Sequence, residues 1–301
     1  MKMKIYAYRV EQVGPRALDN ALMRIEAALL RERQYLGERE MRLETSEERN
    51  GFWFADFAVP RTGHGPGRMS RDAPLAEIAL DAGFSFGEDT GIAFDPNSGY
   101  LAVQYNHFGP RISSIEKYLL AADISFGGQP PLERGQRDED RYGYKFGMVL
   151  RPDAYARLRQ WGIFKSVDVT ISAPGALAVD LQAGRSLKSV LDAPLPEGVE
   201  TITLGITARP GKDSSLDERG VQGWIQDIQH LGGAVSRAVV RGKPTEDDRM
   251  DSVNLVKDRV SAEATLTLGN GLRFVRQDRW DALGRTLRQW LDEGRLPQAA
   301  N

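Results

Sequence analysis

The fold is indicated most directly by one aromatic stretch, Phe52-Trp53-Phe54-Ala55-Asp56-Phe57-Ala58-Val59. Aromatic and β-branched residues favour the pleated surface of a sheet, so this stretch predicts a β-strand. Pro60 follows it and lacks the backbone N–H that a central strand needs, so the strand is expected to end there. A first strand is predicted at residues 1–10, where polar and apolar side chains alternate.

A helix and an exposed segment are predicted between these two strands. Apolar residues recur at helical spacing through residues 17–36, and Gly37 is a typical helix C-cap. Residues 38–50 contain five Glu and three Arg with little apolar content, which indicates an exposed strand or a loop.

Further elements are predicted after the aromatic strand. Residues 73–82 favour a short helix. Residues 90–94 and 100–108 are predicted to form strands, and the turn-forming residues 95–99 between them indicate a hairpin. A second helix is expected at residues 112–122, where apolar residues return every three or four positions.

A linker is predicted at 127–141, because this segment is rich in Gly, Pro and charge and has little to bury. It would separate an N-terminal α+β domain (1–126) from a C-terminal α+β domain (142–301). The second half predicts helices at 152–161, 186–191, 216–231 and 279–292, and strands at 142–150, 163–172, 200–208, 234–241, 253–268 and 272–275. Asn270-Gly271 is a hairpin signal before the last strand. The expected fold class is α+β, with mixed or antiparallel sheets, flanking helices and two domains.

Composition excludes several classes of chemistry. The 301 residues contain no cysteine, so disulfides, thiolate catalysis and cysteine-built metal centres are excluded. No apolar run is long enough for a membrane-spanning helix, and no secretory signal precedes the first strand, so a cytoplasmic protein without membrane insertion is expected. There is no Walker sequence, Rossmann fingerprint or nucleophile elbow. We therefore expect no cofactor and do not favour an enzyme.

The first candidate site is the segment that follows the aromatic strand. It contains Arg61, His64, Arg68 and Arg71, and no acidic residue occurs before Asp72. Three intervening glycines allow successive backbone N–H groups to converge on a phosphate, and arginine adds bidentate contacts. The alternative is an exposed loop that is basic by chance.

The second candidate site is the end of the strand at 100–108. Asn106, His107 and Arg111 lie there, directly before a helix whose first N–H groups face an adjacent anion. The alternative is that the polar side chains satisfy only local backbone groups. The C-terminal end also carries arginines opposite its apolar side, at positions 276, 279, 285, 288 and 295, for which a solvated surface is the simpler interpretation.

Three acidic residues separate the two segments. Glu88, Asp89 and Asp95 have the oxygen ligands that Mg²⁺ prefers, and His107 would be the acid or base of a metal-dependent phosphodiesterase. We favour the alternative, in which these acids form ion pairs with Arg61, Arg68 or Arg111, and expect no metal.

The order of elements in residues 1–122 resembles the RexA-like phage-exclusion proteins. The resemblance lies in the strand–helix–aromatic strand order, in Asp-Thr-Gly-Ile-Ala-Phe at 89–94, and in Phe-Gly-Pro at 108–110 before a helix. It implies a cytoplasmic, homodimeric, DNA-binding protein of anti-phage defence without a small-molecule cofactor.

These observations together predict a protein that binds nucleic acid, DNA in particular, through phosphates and without reading sequence. Its predicted contacts are Arg61, His64, Arg68, Arg71, Asn106, His107 and Arg111. A second defence-system protein is a further expected partner. Two alternatives stay open, namely the phosphodiesterase with His107, Glu88 and Asp89, and an interaction protein that senses infection without nucleic acid.

Overall fold

The structure is a computed structural model that describes residues 1–36, 40–61, 66–172, 187, 199, 201–231, 235–269 and 273–296. Its helices are Leu18–Ala27 (α1), Ile112–Phe126 (α2), Pro152–Gln160 (α3), Glu218–Leu231 (α4) and Arg276–Asp292 (α5). Its strands are Lys2–Gln12 (β1), Gln34–Leu36 (β2), Glu40–Arg49 (β3), Phe52–Pro60 (β4), Arg68–Ser70 (β5), Ala73–Ala76 (β6), Gly87–Asp95 (β7), Tyr100–Tyr105 (β8), Tyr144–Met148 (β9), Ile163–Ser172 (β10), Thr201–Thr207 (β11), Val235–Lys243 (β12), Asp251–Asn254 (β13) and Ser261–Thr265 (β14).

The aromatic stretch forms β4, near the middle of the large sheet, as predicted. The strand order is β14-β1-β8-β7-β4-β3-β2, and β9 also pairs with β1. Every pairing in this sheet is antiparallel, which confirms the predicted α+β class and the hairpin between β7 and β8. The first strand, β1, contacts three others and is the central connection of the sheet.

A smaller antiparallel sheet has the order β11-β10-β12-β13. The predicted strand at 253–268 is interrupted, because β13 belongs to this sheet whereas β14 pairs with β1 in the large one. The predicted linker 127–141 contains a short 3-10 turn, Asp138–Asp140. Chain segments on both sides of it contribute to the large sheet, so the two sheets do not correspond to the two sides of the linker.

Strand alternation gives the large sheet two apolar faces. The front face carries Phe57 and Ile92, which pack in one core cluster with α1 and α2. The back face carries Phe54 and Ala93, which pack in another cluster with Trp280 and further apolar residues of α5. Burial on both faces fixes the register, because a shift by one residue would exchange the two sets.

A buried ion-pair network joins α5 to the back face. Arg279 is 3% exposed and donates from Nη2 to Asp56 of β4 at 2.6 Å and from Nη1 to Asp89 of β7 at 2.6 Å. The indole of Trp280 donates to the other oxygen of Asp56 at 2.9 Å. A Cβ on Gly91 would lie 3.1 Å from both Arg279 Nε and Asp56 Oδ1, so any larger residue there would crowd the network. The expectation that Arg279 lies on a solvated basic side is therefore wrong.

The short helix predicted at 73–82 is wrong. Residues Ala73–Ala76 form β6 instead, paired with β5, and residues 77–80 form neither helix nor strand. Short isolated helices are unstable unless packing supports them, and residues 76–85 are all exposed. The segment thus has helix-forming residues but no surface against which a helix would pack.

The helix predicted at 17–36 ends early, at Ala27. The guanidinium of Arg33 binds the backbone oxygens of Ala28 (2.8 Å) and Glu26 (2.5 Å) at the helix end, where the last carbonyls lack helical partners. The chain then turns into β2. The strand predicted at 100–108 is likewise shorter and ends at Tyr105.

Some predicted features lie outside the described residues, namely Gly37, the helix at 186–191 apart from Leu187, and the Asn270-Gly271 turn. Within the described part of the chain, no helix has both the length and the apolar character required to cross a bilayer.

We predict that Arg279→Met lowers the free energy of unfolding by about 3 to 5 kcal/mol, because it leaves two carboxylates buried without their shared cation. A double-mutant cycle with Asp56→Asn in urea denaturation should show a coupling of about 1 kcal/mol or more. Asp153→Asn, which removes an exposed partner of Arg151, is the control and should change stability by less than about 0.5 kcal/mol. If the losses of stability in Arg279→Met and Asp56→Asn simply added up in the double variant, the two residues would not be coupled and the prediction would be contradicted.

Candidate functional site

The turn after β8 is held in place by the side chain of Asn106. Its amide donates to the backbone oxygen of Asp89 at 2.9 Å and to Glu88 at 3.2 Å, while its oxygen accepts the backbone N–H of Phe108 at 3.1 Å. Gly109 lies so close to β7 that a Cβ there would be 2.7 Å from the hydroxyl oxygen of Thr90. Asn106 was predicted to bind phosphate, but its donors are used within the fold.

This turn presents aromatic rings and cations together. The guanidinium of Arg61 lies 4.5 Å from the ring centre of Phe108, and the His107 ring meets Phe108 edge-on at 5.0 Å. Arg111 lies 5.3 Å from the ring centre of Tyr105 and donates to the backbone oxygen of His107 at 2.9 Å. Three of the predicted binding residues, Arg61, His107 and Arg111, are thus brought together.

The same array continues onto β1. Tyr105 meets Tyr6 edge-on at 5.9 Å, and Lys4 Nζ lies 5.3 Å from the Tyr6 ring centre. The guanidinium of Arg259 lies over the same ring, at 3.3 Å. Burial raises the pKa of the neighbouring Tyr8 hydroxyl, and the charge of Arg259 opposes that rise.

We name this group the aromatic–cation surface. Its members share the front side of the sheet near the end of β8 and connect through ring, cation and hydrogen-bond contacts: Lys4, Tyr6, Arg61, Tyr105, His107, Phe108, Arg111 and Arg259.

Two of the three acids proposed as metal ligands, Glu88 and Asp89, lie on opposite faces of β7, because neighbouring residues of a strand alternate. On the front, Glu88 pairs with Arg61 at 3.3 Å, as the favoured alternative predicted. On the back, Asp89 pairs with Arg279 and, at 2.5 Å, with Arg273, rather than with the expected arginines. Asp95 accepts the backbone N–H of Asn97 in the hairpin turn. In the part of the chain that the structure describes, no three acidic or histidine side chains cluster as a metal site would require.

The glycine-rich segment is only partly described. His64, together with Gly63 and Gly65, lies outside the described residues, so the predicted glycine nest stays a prediction. Arg68 in β5 and Arg71 in the following turn are exposed. Among the described residues, neither side chain forms a hydrogen bond, an ion pair or a ring contact with the aromatic–cation surface.

Helix α2 begins directly beside this surface, as predicted. Arg111 is its N-cap residue and has extended backbone angles, and its carbonyl accepts the N–H of Ile115 at 3.0 Å. The Arg111 side chain forms no cap hydrogen bond and lies over Tyr105 instead. The positive charge of Arg111 thus lies next to the partial positive charge at the start of α2. The two repel each other unless an anion binds beside both.

Three members of the surface lie outside the two segments predicted from the sequence, namely Lys4, Tyr6 and Arg259. Lys4 pairs directly with Tyr105 across the β1–β8 ladder, so a correct strand pairing would have placed the first two beside the predicted site. Arg259 lies in the segment between β13 and β14, and no local pattern connects it with residues near position 105.

We predict that Asp89→Asn destabilises the protein by about 1 to 3 kcal/mol at neutral pH. Burial raises the pKa of the Asp89 carboxyl, but the charges and hydrogen bonds of Arg279 and Arg273 lower it by more. The pKa of Asp89 in the folded protein therefore lies below its usual value. The ion pairs of Asp89 therefore contribute their full stability above the pKa of about 4 that this carboxyl has in the unfolded chain. That stability is lost as the pH falls through the lower pKa that Asp89 has in the folded protein. Urea denaturation of both proteins between about pH 3 and 7 should show the difference shrinking only at the acidic end. A difference that stays constant over the whole range would contradict this assignment.

No family model matches the chain, and no curated protein is significantly similar to it. The resemblance to the RexA-like proteins therefore stays a prediction, and the function has to be argued from the aromatic–cation surface.

Proposed function

We propose that the protein binds nucleic acid, without reading its base sequence, at the aromatic–cation surface. The observation that carries the proposal is the alternation of cations and accessible rings: Arg61 lies over Phe108 and Arg111 lies over Tyr105. Arginine binds phosphate through paired N–H donors, and the adjacent rings offer flat apolar contacts to bases or sugars. Contacts of this kind position a strand but carry no sequence information.

The positive charge of the surface supports the proposal. Arg111 uses one terminal nitrogen for the backbone oxygen of His107 and keeps other N–H donors for a ligand. Among the described residues, neither Arg111 nor Arg259 forms an ion pair. Two guanidinium groups are therefore not neutralised by a neighbouring carboxylate.

The nearby acids have partners of their own. Glu88 accepts from both Arg61 and Asn106. Glu263, on the adjacent strand β14, pairs with Lys2 at 2.7 Å, and Glu116 accepts the backbone N–H of Phe146. These contacts reduce the repulsion that a phosphate backbone would meet. The net charge of −2 for the whole chain does not oppose a local cationic site.

The biological setting proposed here rests on the resemblance alone. A RexA-like protein would act in the cytoplasm as a homodimer within an anti-phage defence system, with DNA and a second defence protein as partners. The chemistry of the surface is independent of that setting and is tested separately.

We predict that a labelled DNA of about 20 nucleotides, offered as single strand and as duplex, binds with an affinity that falls steeply between about 50 and 200 mM salt. The double variant Lys4→Gln, Arg111→Gln should weaken binding and make the plot of log K against log salt less steep by about 1 to 2. The reason is that each phosphate contact that is lost means about one counterion fewer released on binding. Fluorescence anisotropy measures both quantities.

The matched control is Arg285→Gln, an exposed arginine on α5 at the opposite side of the sheet. It removes the same kind of charge and should leave affinity and slope unchanged. Failure of both DNA forms to bind, or equal losses in the control and in the double variant, would contradict the proposed function.

A further inference from the structure

We propose that the ligand of the aromatic–cation surface is single-stranded nucleic acid, with unpaired bases stacking on Tyr105 and Phe108. This inference rests on the proposed function and makes it more specific, because it names the form of the nucleic acid and the two side chains that select it.

The exposure of the two rings is the first argument. Tyr105 is 43% exposed and Phe108 is 50% exposed, although an arginine already lies over each ring. By contrast, rings that pack in the two cores, such as those of Phe57 and Trp280, are no more than 1% exposed. These rings instead keep area free at a site lined with cations.

The rings are also held in fixed positions. Phe108 lies in the turn that Asn106 fastens to β7, and the next residue, Gly109, packs against Thr90 without room for a side chain. Tyr105 is the last residue of β8 and contacts Tyr6 across the sheet. A preorganised ring loses little conformational entropy when a base stacks on it, which raises affinity.

The form of the ligand follows from which parts of a nucleic acid such rings are able to reach. In a duplex, the flat faces of the bases are stacked on one another, and only their edges and the phosphates are accessible. In an unpaired strand, the faces are free to stack on aromatic side chains, while arginines bind the intervening phosphates. A surface built from charge alone would not discriminate in this way.

The cations are placed to serve the same strand. Arg61 and Arg111 flank the turn that carries His107, and each contacts one of the two rings. Beyond Tyr105, the row continues through Tyr6 to Lys4 and Arg259. Tyr6 itself is buried, so within this group Tyr105 and Phe108 are the tyrosine and phenylalanine rings exposed to a base. Lys4 adds an exposed cation beyond them on the same side of the sheet.

The test compares labelled oligo-dT and oligo-U, which have little structure of their own, with a duplex of equal length in anisotropy titrations at fixed salt. We expect either single strand to bind at least about tenfold more tightly than the duplex. The double variant Tyr105→Ala, Phe108→Ala should lose about tenfold or more of its single-strand affinity and leave the salt slope unchanged.

Conservative variants separate stacking from folding. Tyr105→Phe retains the ring and should retain single-strand binding, while the melting temperatures of all variants report on the fold. Equal affinity for duplex and single strand, or unchanged affinity in a folded double-alanine variant, would overturn this inference and leave charge-based binding in place. Binding of neither form would instead remove the proposed function itself.

Discussion

Arg279 holds the two strands at the middle of the large sheet to the C-terminal helix, and its two ion pairs constrain the rest of the structure. Asp56 and Asp89 belong to different strands, and both carboxylates bind the same guanidinium at 2.6 Å. Burial raises the pKa of Asp56, so its ionised form depends on Arg279, on the Trp280 indole and on Arg276. A buried carboxylate without such partners costs several kcal/mol, by order of magnitude. Few placements of α5 satisfy both acids, and the network therefore specifies the position of the helix rather than merely adding stability.

The consequences of this network reach the opposite side of the sheet. Asp89 is held from the back, while its backbone oxygen accepts a hydrogen bond from Asn106, which shapes the turn that presents His107 and Phe108. The preceding residue, Glu88, points to the front and holds both Asn106 and Arg61. One short section of β7 thus links the buried ion pairs to the proposed binding surface. We infer that the rigidity of the surface depends on the packing of α5, although no residue of α5 takes part in it.

The sequence was informative where a signal is local and less so where it depends on distant partners. The aromatic stretch at 52–59 and the turn at 95–99 predicted β4 and the β7–β8 hairpin, because strand propensity and turn chemistry act over a few residues. The helix at 73–82 failed because its residues have helical propensity but no surface to pack against. Arg61, His107 and Arg111 were found from composition, whereas Arg259 and the Asp56–Arg279 pair join residues far apart in the chain. Only strand pairing and helix packing bring those residues together.

The acid beside the surface illustrates why charge alone describes such a site incompletely. The negative charge of Glu88 neutralises Arg61 and so weakens the attraction of phosphate to this site. The same ion pair, with 3.3 Å between Arg61 Nη1 and Glu88 Oε1, also restrains the arginine side chain and helps to keep its guanidinium over Phe108. An arginine held over a ring loses less side-chain entropy when it binds than a free one does, and it keeps a flat apolar face next to the ligand. Partial neutralisation combined with fixed geometry suits a ligand whose bases contribute as much as its phosphates. This balance is a further reason to favour an unpaired strand over a duplex, for which charge would be the dominant attraction.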